Sequence, residues 1–125
     1  MASKVLIADD VPEIRRLLKR MFRDCDDFEV VAEAVDGEEA VDKCRELEPD
    51  VIFLDINMPE RTGLQALGDI RKAVPDGLIV VFSGLSERVV EDKSLRSEVD
   101  AWIEKGTHTR DILEELRKLV SERSR

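Results

Sequence analysis

Five residues in the chain have types that could do chemistry together: the acidic pair Asp9-Asp10, then Asp55, Ser83 and Lys105. Each stands directly after a strand-like segment: Val5 to Ala8, Val51 to Leu54, Leu78 to Phe82 and Ala101 to Glu104 respectively. Three carboxylates gathered in one pocket repel each other and call for a cation. With oxygen ligands only, and no sulfur or imidazole nearby, Mg²⁺ or Mn²⁺ suits such a pocket better than zinc. An ion held there draws the oxygens of a phosphoryl group toward one carboxylate and neutralises charge in the transition state. Ser83 offers a hydroxyl donor, and Lys105 a point charge, to the remaining phosphoryl oxygens. The chemistry these residue types suit is placing a phosphoryl group on an aspartate.

The elements that must position them alternate strand and helix five times. Lys4 to Ala8 reads as the first strand, and Pro12 suits the first turn of a helix whose apolar stripe is Ile14, Leu17, Leu18 and Met21. Phe28 to Ala34 is strand two. Asp36-Gly37 makes a turn before a helix with Ala40, Val41, Cys44 and Leu47 inward, closed by Pro49. Val51 to Leu54 is strand three, and Leu64, Leu67, Ile70 and Val74 mark helix three. Pro75-Asp76-Gly77 is a turn before strand four, Leu78 to Phe82. A polar, weakly periodic helix is predicted over Ser86 to Arg96, a short fifth strand over Ala101 to Glu104, and a last helix with Ile112, Leu113, Leu116, Leu119 and Val120.

Five such units imply an α/β fold: a doubly wound, five-stranded parallel sheet with helices on both faces, flavodoxin-like in architecture. Strands one, three and four are apolar throughout, as strands covered on both faces are. Strand two carries Glu29 and Glu33, and strand five is bounded by Asp100 and Glu104, so these two read as edges. The order 2-1-3-4-5 satisfies that pattern, and it brings the ends of strands one, three, four and five to one rim, where such folds bind ligands.

The 125 residues fit one domain, 1–125, with no effector domain in the chain. The longest apolar stretches fall far short of a membrane span, and Met1 to Lys4 shows no signal-peptide pattern, so a cytoplasmic location is expected. A net charge of −9 repels phosphate backbones and argues against nucleic acid as a partner. Cys25 and Cys44 are too few for a disulfide framework or metal knuckle; Cys44 falls on an apolar stripe and reads as buried filler. His108, the single histidine, reads as a surface residue.

Taken as a set, these segments resemble a response regulator receiver domain over essentially the whole chain. The matching residues are V-L-I-A-D-D at Val5 to Asp10, V-I-F-L-D-I-N-M-P at Val51 to Pro59, Gly63, F-S-G at Phe82 to Gly84, and A-W-I-E-K at Ala101 to Lys105. The resemblance implies Asp55 as phosphoacceptor, with a histidine kinase or phosphotransfer protein as donor. It implies Asp10 as a direct Mg²⁺ ligand, Asp9 as a ligand largely through water, and the backbone carbonyl of Asn57 as a further ligand. Ser83 and Lys105 would contact the phosphoryl group, with the Gly84 amide nearby. By the same resemblance, Asn57 and Leu85 would occupy the family's variable positions that tune how long the acyl phosphate survives.

Ser83 and Trp102 match the family's switch pair, and output is expected on the face of the fourth predicted helix, strand five and the last helix, as a partner site or homodimer surface. Kinase docking is expected on Val11, Ile14 and Arg15 of the first helix. Two departures stand out. The family often has tyrosine or phenylalanine at the Trp102 position, and a proline where Gly106 follows the lysine.

Each residue also has a plainer use: Asp9-Asp10 as a helix cap, Asp55 as a strand-end acid, Ser83 as a turn residue, Lys105 as a solvated cation, Trp102 as packing. Their joint placement at one rim outweighs those uses. A haloacid-dehalogenase-type phosphatase also uses a strand-end aspartate, a hydroxyl residue, a lysine and Mg²⁺. Its general-acid aspartate, two residues after the nucleophile, is here Asn57, which cannot exchange protons, and its extra metal carboxylates follow the lysine rather than open the chain. A flavin-binding flavodoxin needs a hydroxyl- and glycine-rich loop after strand one, where this chain has Asp9-Asp10-Val11-Pro12. A degenerate receiver acting as a phosphorylation-independent binding module is disfavoured because every phosphorylation residue is present. The expectation is therefore a signalling switch and not an enzyme, beyond its own phosphorylation and slow dephosphorylation.

Overall fold

The computed structural model describes residues 2–56, 58, 63–84 and 97–123. Its elements are β1 (Ser3–Ala8), α1 (Pro12–Arg23), β2 (Phe28–Ala34), α2 (Gly37–Leu47), β3 (Val51–Leu54), α3 (Gly63–Ala73), β4 (Leu78–Ser83), β5 (Ala101–Glu104) and the C-terminal helix α4 (Thr109–Arg123). The strands form one parallel sheet in the order β2-β1-β3-β4-β5. The helix expected over Ser86 to Arg96 lies outside the described residues, as do Asn57 and Leu85.

Side chains alternate across the sheet, and each face builds its own core. Val5 and Ile7 of β1, Val51 and Phe53 of β3, and Val80 and Phe82 of β4 pack with α1 and α4. Leu6, Ala8, Ile52, Leu54 and Ile79 pack with α2 and α3 on the other face. This double cover explains why β3 and β4 are buried at every position. On the α1 side, Phe22, Phe28, Phe53 and Phe82 form a run of tilted and edge-on ring contacts at centroid separations of 5.3, 5.7 and 6.0 Å.

The edge strand β2 departs from simple alternation. Val30 pairs with Val5 but Ala32 pairs with Leu6, so Val31 is an extra residue and the register slips by one. A one-residue slip turns every later side chain to the opposite face. Phe28 and Val30 accordingly pack toward α1 and α4, whereas Ala32 and Ala34 pack toward α2 and α3. The same slip delivers Glu33 to the α1 side, where its carboxylate meets Arg15 and Lys19, each at 3.1 Å.

Several local readings need adjustment. β1 starts at Ser3, one residue earlier than expected. Leu17 is 39 % exposed, so it belongs to the outer surface of α1 and not to its inner stripe. Asp36 is the N-cap of α2, accepting a bond from the Glu39 amide at 2.8 Å, and Gly37 is already helical. That helix stops at Glu48, whose φ of 45° places it in the left-handed region, before Pro49 is reached. Val11 caps α1 without a side-chain bond, so neither aspartate of the acidic pair serves as its N-cap. His108 is exposed as expected, and its Nδ1 accepts from the Arg110 amide at 3.1 Å, which caps α4. Cys44 is fully buried, and burial pushes its thiol up to about 12, consistent with packing and no reactivity.

Asp100, which bounds the edge strand β5, is tied into the fold. Its Oδ2 accepts from the Ile79 amide and from Arg71, both at 2.8 Å. The Arg71 guanidinium also donates to the carbonyls of Gly77 and Glu98, each at 2.7 Å. One side chain thus ties the end of α3, the turn before β4 and the approach to β5. Arg71→Ala takes this donor from the Gly77 and Glu98 carbonyls, while Asp100 keeps the Ile79 amide, and is expected to cost about 2–3 kcal/mol, read as a lower urea midpoint at unchanged slope.

Candidate functional site

The site begins with the way its residues are hung on the sheet. Asp9, Asp55 and Lys105 each stand one residue beyond a strand, and each donates its backbone N–H to the neighbouring strand. The bonds run from Asp9 to the Ala34 carbonyl at 3.0 Å, from Asp55 to the Ala8 carbonyl at 2.9 Å, and from Lys105 to the Ser83 carbonyl at 2.7 Å. The rim is therefore a continuation of the sheet ladder, and the side chains inherit its rigidity. Gly106, immediately after Lys105, has φ of +99°. A proline, with φ fixed near −65°, cannot take that conformation, so the chain leaves the rim by a turn that suits glycine.

Among the described residues the buried polar or charged ones are Asp9, Asp55 and Ser83, all picked out by the sequence. Burying charge is costly unless it is paired, and Lys105 supplies the pairing. Its Nζ lies 3.0 Å from Asp9 Oδ2 and 3.2 Å from Asp55 Oδ2. Asp10 is exposed at the mouth, and one carboxylate oxygen from each of Asp9, Asp10 and Asp55 lies within 4.8 Å of the others.

The electrostatics show how little slack the cluster has. Burial pushes the Asp9 carboxyl above its ordinary 3.8. The Val11 amide, bonded to Oδ1 at 2.9 Å, and Lys105 pull it back, while the Asp55 charge raises it again. For Lys105, burial alone would lower the ammonium. The hydrogen bond to Asp9 and the charges of Asp55 and Asp9 outweigh burial, and the group is held above 10.5. Excess negative charge on oxygen ligands, with an open side at Asp10, is the donor chemistry that fits Mg²⁺ or Mn²⁺.

Ser83 is fully buried at the end of β4, opposite Glu104 in the register. Trp102 is half-buried on β5 opposite Val81, and it packs on the small cluster of Ile56 and Val81. Ile56, the residue after Asp55, is 2 % exposed, and as one apolar residue past the end of a strand it carries no periodic signal in the sequence. Arg15, expected to face a docking partner, turns inward: its Nη1 donates to the Asp9 carbonyl at 2.7 Å and its Nε to Glu33 at 3.1 Å. Glu33 reaches it only through the register slip in β2.

A doubly wound sheet with an acidic rim bridged by a lysine defines a class, and comparison with known proteins identifies it. The family model described as the response regulator receiver domain matches residues 5–117. The chain belongs to the response regulator receiver domain family of two-component systems. It is 34% identical over 119 residues to the chemotaxis protein CheY of Thermotoga maritima, covering 95% of this chain and 98% of that one. Among solved structures, the response regulator TrrA of Thermotoga maritima, in complex with Mg²⁺-BeF, superimposes with a TM-score of 0.82 at 31% identity over 94% of this chain and 98% of that one. A CheY-like receiver domain from Methanospirillum hungatei gives a TM-score of 0.87 at 23% identity, covering 99% and 98%, a likeness of fold. No helix among the described residues is long and apolar enough to cross a membrane.

Proposed function

We propose that the chain is a phosphorylation-operated switch in which Asp55 accepts a phosphoryl group from a histidine kinase or phosphotransfer protein. The observation that carries this reading is the rim itself: carboxylate oxygens of Asp9, Asp10 and Asp55 within 4.8 Å of one another, with Lys105 Nζ between Asp9 and Asp55. A carboxylate oxygen of Asp55 forms the new bond to phosphorus as the P–N bond of the donor phosphohistidine breaks, its electron pair returning to the imidazole. Lys105 and Ser83 meet the phosphoryl oxygens as charge develops, and their backbones, joined by the 2.7 Å bond, keep the ammonium and the hydroxyl in fixed relation. Asp9, Asp10, Asp55 and the Asn57 carbonyl would hold Mg²⁺, or Mn²⁺, which supplies charge neutralisation and orientation when bound.

Once formed, the acyl phosphate shifts an equilibrium between two conformations. Moving from mostly off to mostly on requires a differential of about 5 kcal/mol, for which the contacts of Ser83 and Lys105 are the source. Trp102, packed beside the residue that follows Asp55, would carry the change to the face of β5 and α4. There a downstream protein, or a second copy, reads the state. The net charge of −9 favours protein partners over nucleic acid, and a cytoplasmic site of action follows from the kinase donor.

Incubation with acetyl phosphate and Mg²⁺, followed by intact-mass measurement, tests the reading. One phosphoryl adduct is expected. No adduct from any donor would leave a phosphorylation-independent binding module, and steady turnover of a phosphomonoester would point to a phosphatase instead.

A further inference from the structure

We infer that Arg15 is a positioning residue for the acidic rim, holding the backbone around Asp10 in the geometry that takes up a divalent cation; the inference rests on the metal-assisted reading above. Asp10 is flanked by two fixed peptide groups. The carbonyl of the preceding one, belonging to Asp9, accepts from Arg15 Nη1 at 2.7 Å. The amide of the following one, belonging to Val11, donates to Asp9 Oδ1 at 2.9 Å. Asp10 itself is exposed, and these two bonds help fix the peptide groups from which its carboxylate leaves the chain, beside the sheet bond from Asp9 to the Ala34 carbonyl and the first bonds of α1 to the Val11 carbonyl.

Arg15 can serve in this way because its other end is anchored. Its Nε donates to Glu33 Oε1 at 3.1 Å, and the second Glu33 oxygen accepts from Lys19 at 3.1 Å. Its side chain is 17% exposed, so the guanidinium is confined between β2 and the rim. Arginine's rigid planar fork sends Nε and Nη1 to two separate acceptors in fixed relation, which the single nitrogen of a lysine cannot do for groups lying apart.

The charge of Arg15 and its geometry predict opposite effects on metal binding. A fixed cation close to the rim disfavours a divalent ion by simple repulsion, so removing it should tighten binding if charge were all that mattered. Loss of a hydrogen-bond partner that orients metal ligands instead weakens binding, by about tenfold or more in known sites. The sign of the change therefore separates the two roles, and a purely structural role would move neither.

The test is a Mn²⁺ titration of the whole chain, with free ion counted by its electron paramagnetic resonance signal, for wild type, Arg15→Gln and Arg15→Lys. Urea unfolding of each variant is run alongside, so that affinities are compared between folded proteins. Arg15→Lys keeps the cation and the alkyl stem and secures a folded variant should Arg15→Gln fail. Both variants are expected to bind Mn²⁺ about tenfold more weakly than wild type, the lysine giving no rescue. Wild-type affinity in Arg15→Lys, or tighter binding in Arg15→Gln, overturns the positioning role. Absence of Mn²⁺ uptake by the wild type removes the metal-assisted reading itself.

Discussion

Asp55→Asn is expected to take up no phosphoryl group under conditions that load the wild type, while folding at least as stably. The substitution conserves shape but replaces a carboxylate nucleophile with an amide that cannot form the mixed anhydride. It also removes one of three charges whose oxygens lie within 4.8 Å of each other, leaving Lys105 paired with Asp9 at 3.0 Å. Relief of repulsion at a site shaped for function commonly gains about 0.5–2 kcal/mol, visible as a higher urea midpoint at neutral pH without divalent ions. Intact mass after acetyl phosphate treatment reads the chemistry. An adduct of wild-type size on Asp55→Asn would move the acceptor to another residue.

The second large effect concerns the lysine. Lys105→Met leaves Asp9 and Asp55 buried without their shared cation, the circumstance in which breaking an ion pair is most damaging. Because the Lys105 side chain is 22% exposed, some of that cost is screened, and about 2 kcal/mol is expected at neutral pH.

The sign with pH follows from both partners. Lys105 is held above its ordinary 10.5, so its stabilisation is whole below that value and is lost as pH rises through the folded titration. Asp9 is pushed above 3.8, so the folded chain is favoured where Asp9 is protonated and loses that advantage as pH rises through its folded titration. Removing Lys105 strengthens the second effect. The deficit of Lys105→Met should therefore narrow as pH falls through the Asp9 titration, and saturating Mg²⁺ should restore part of it at neutral pH. Urea unfolding across that range, with and without Mg²⁺, is the measurement. A deficit independent of both pH and Mg²⁺ would mean that Lys105 acts through packing alone.

Much of this architecture is legible in the sequence because apolar patterning records burial. The all-apolar runs of β3 and β4 report a strand covered on both faces, and the residue after each run reports the rim, so Asp55 and Ser83 follow from periodicity. What periodicity cannot record is a change of register. Glu29 and Glu33 look equivalent in the sequence, two acids on one edge strand, yet the extra residue Val31 turns Glu33 toward α1 and makes a partner for Arg15. Leu17 fails for a related reason: helical spacing defines a stripe, but its width depends on how α1 lies across the sheet. Arg71 and Asp100 illustrate a third limit. Ion pairs and carbonyl caps between residues far apart in the chain leave no local signature, so Asp100 marks β5 as an edge in the sequence without revealing that it bonds the Ile79 amide and Arg71. Asn57 and Leu85 rest on the resemblance alone.

The packing of Trp102 on Ile56 and Val81 has a practical consequence. The chain contains one tryptophan and no tyrosine, so its near-ultraviolet emission arises from a single indole. That indole packs beside the residue next to Asp55 and stands on β5, the strand that Lys105 immediately follows. Its emission maximum and quenching should therefore shift when Mg²⁺ and acetyl phosphate are added to the wild type, and stay unmoved by acetyl phosphate in Asp55→Asn. Such a shift would make the indole an optical gauge of the rim, readable without a label and in real time.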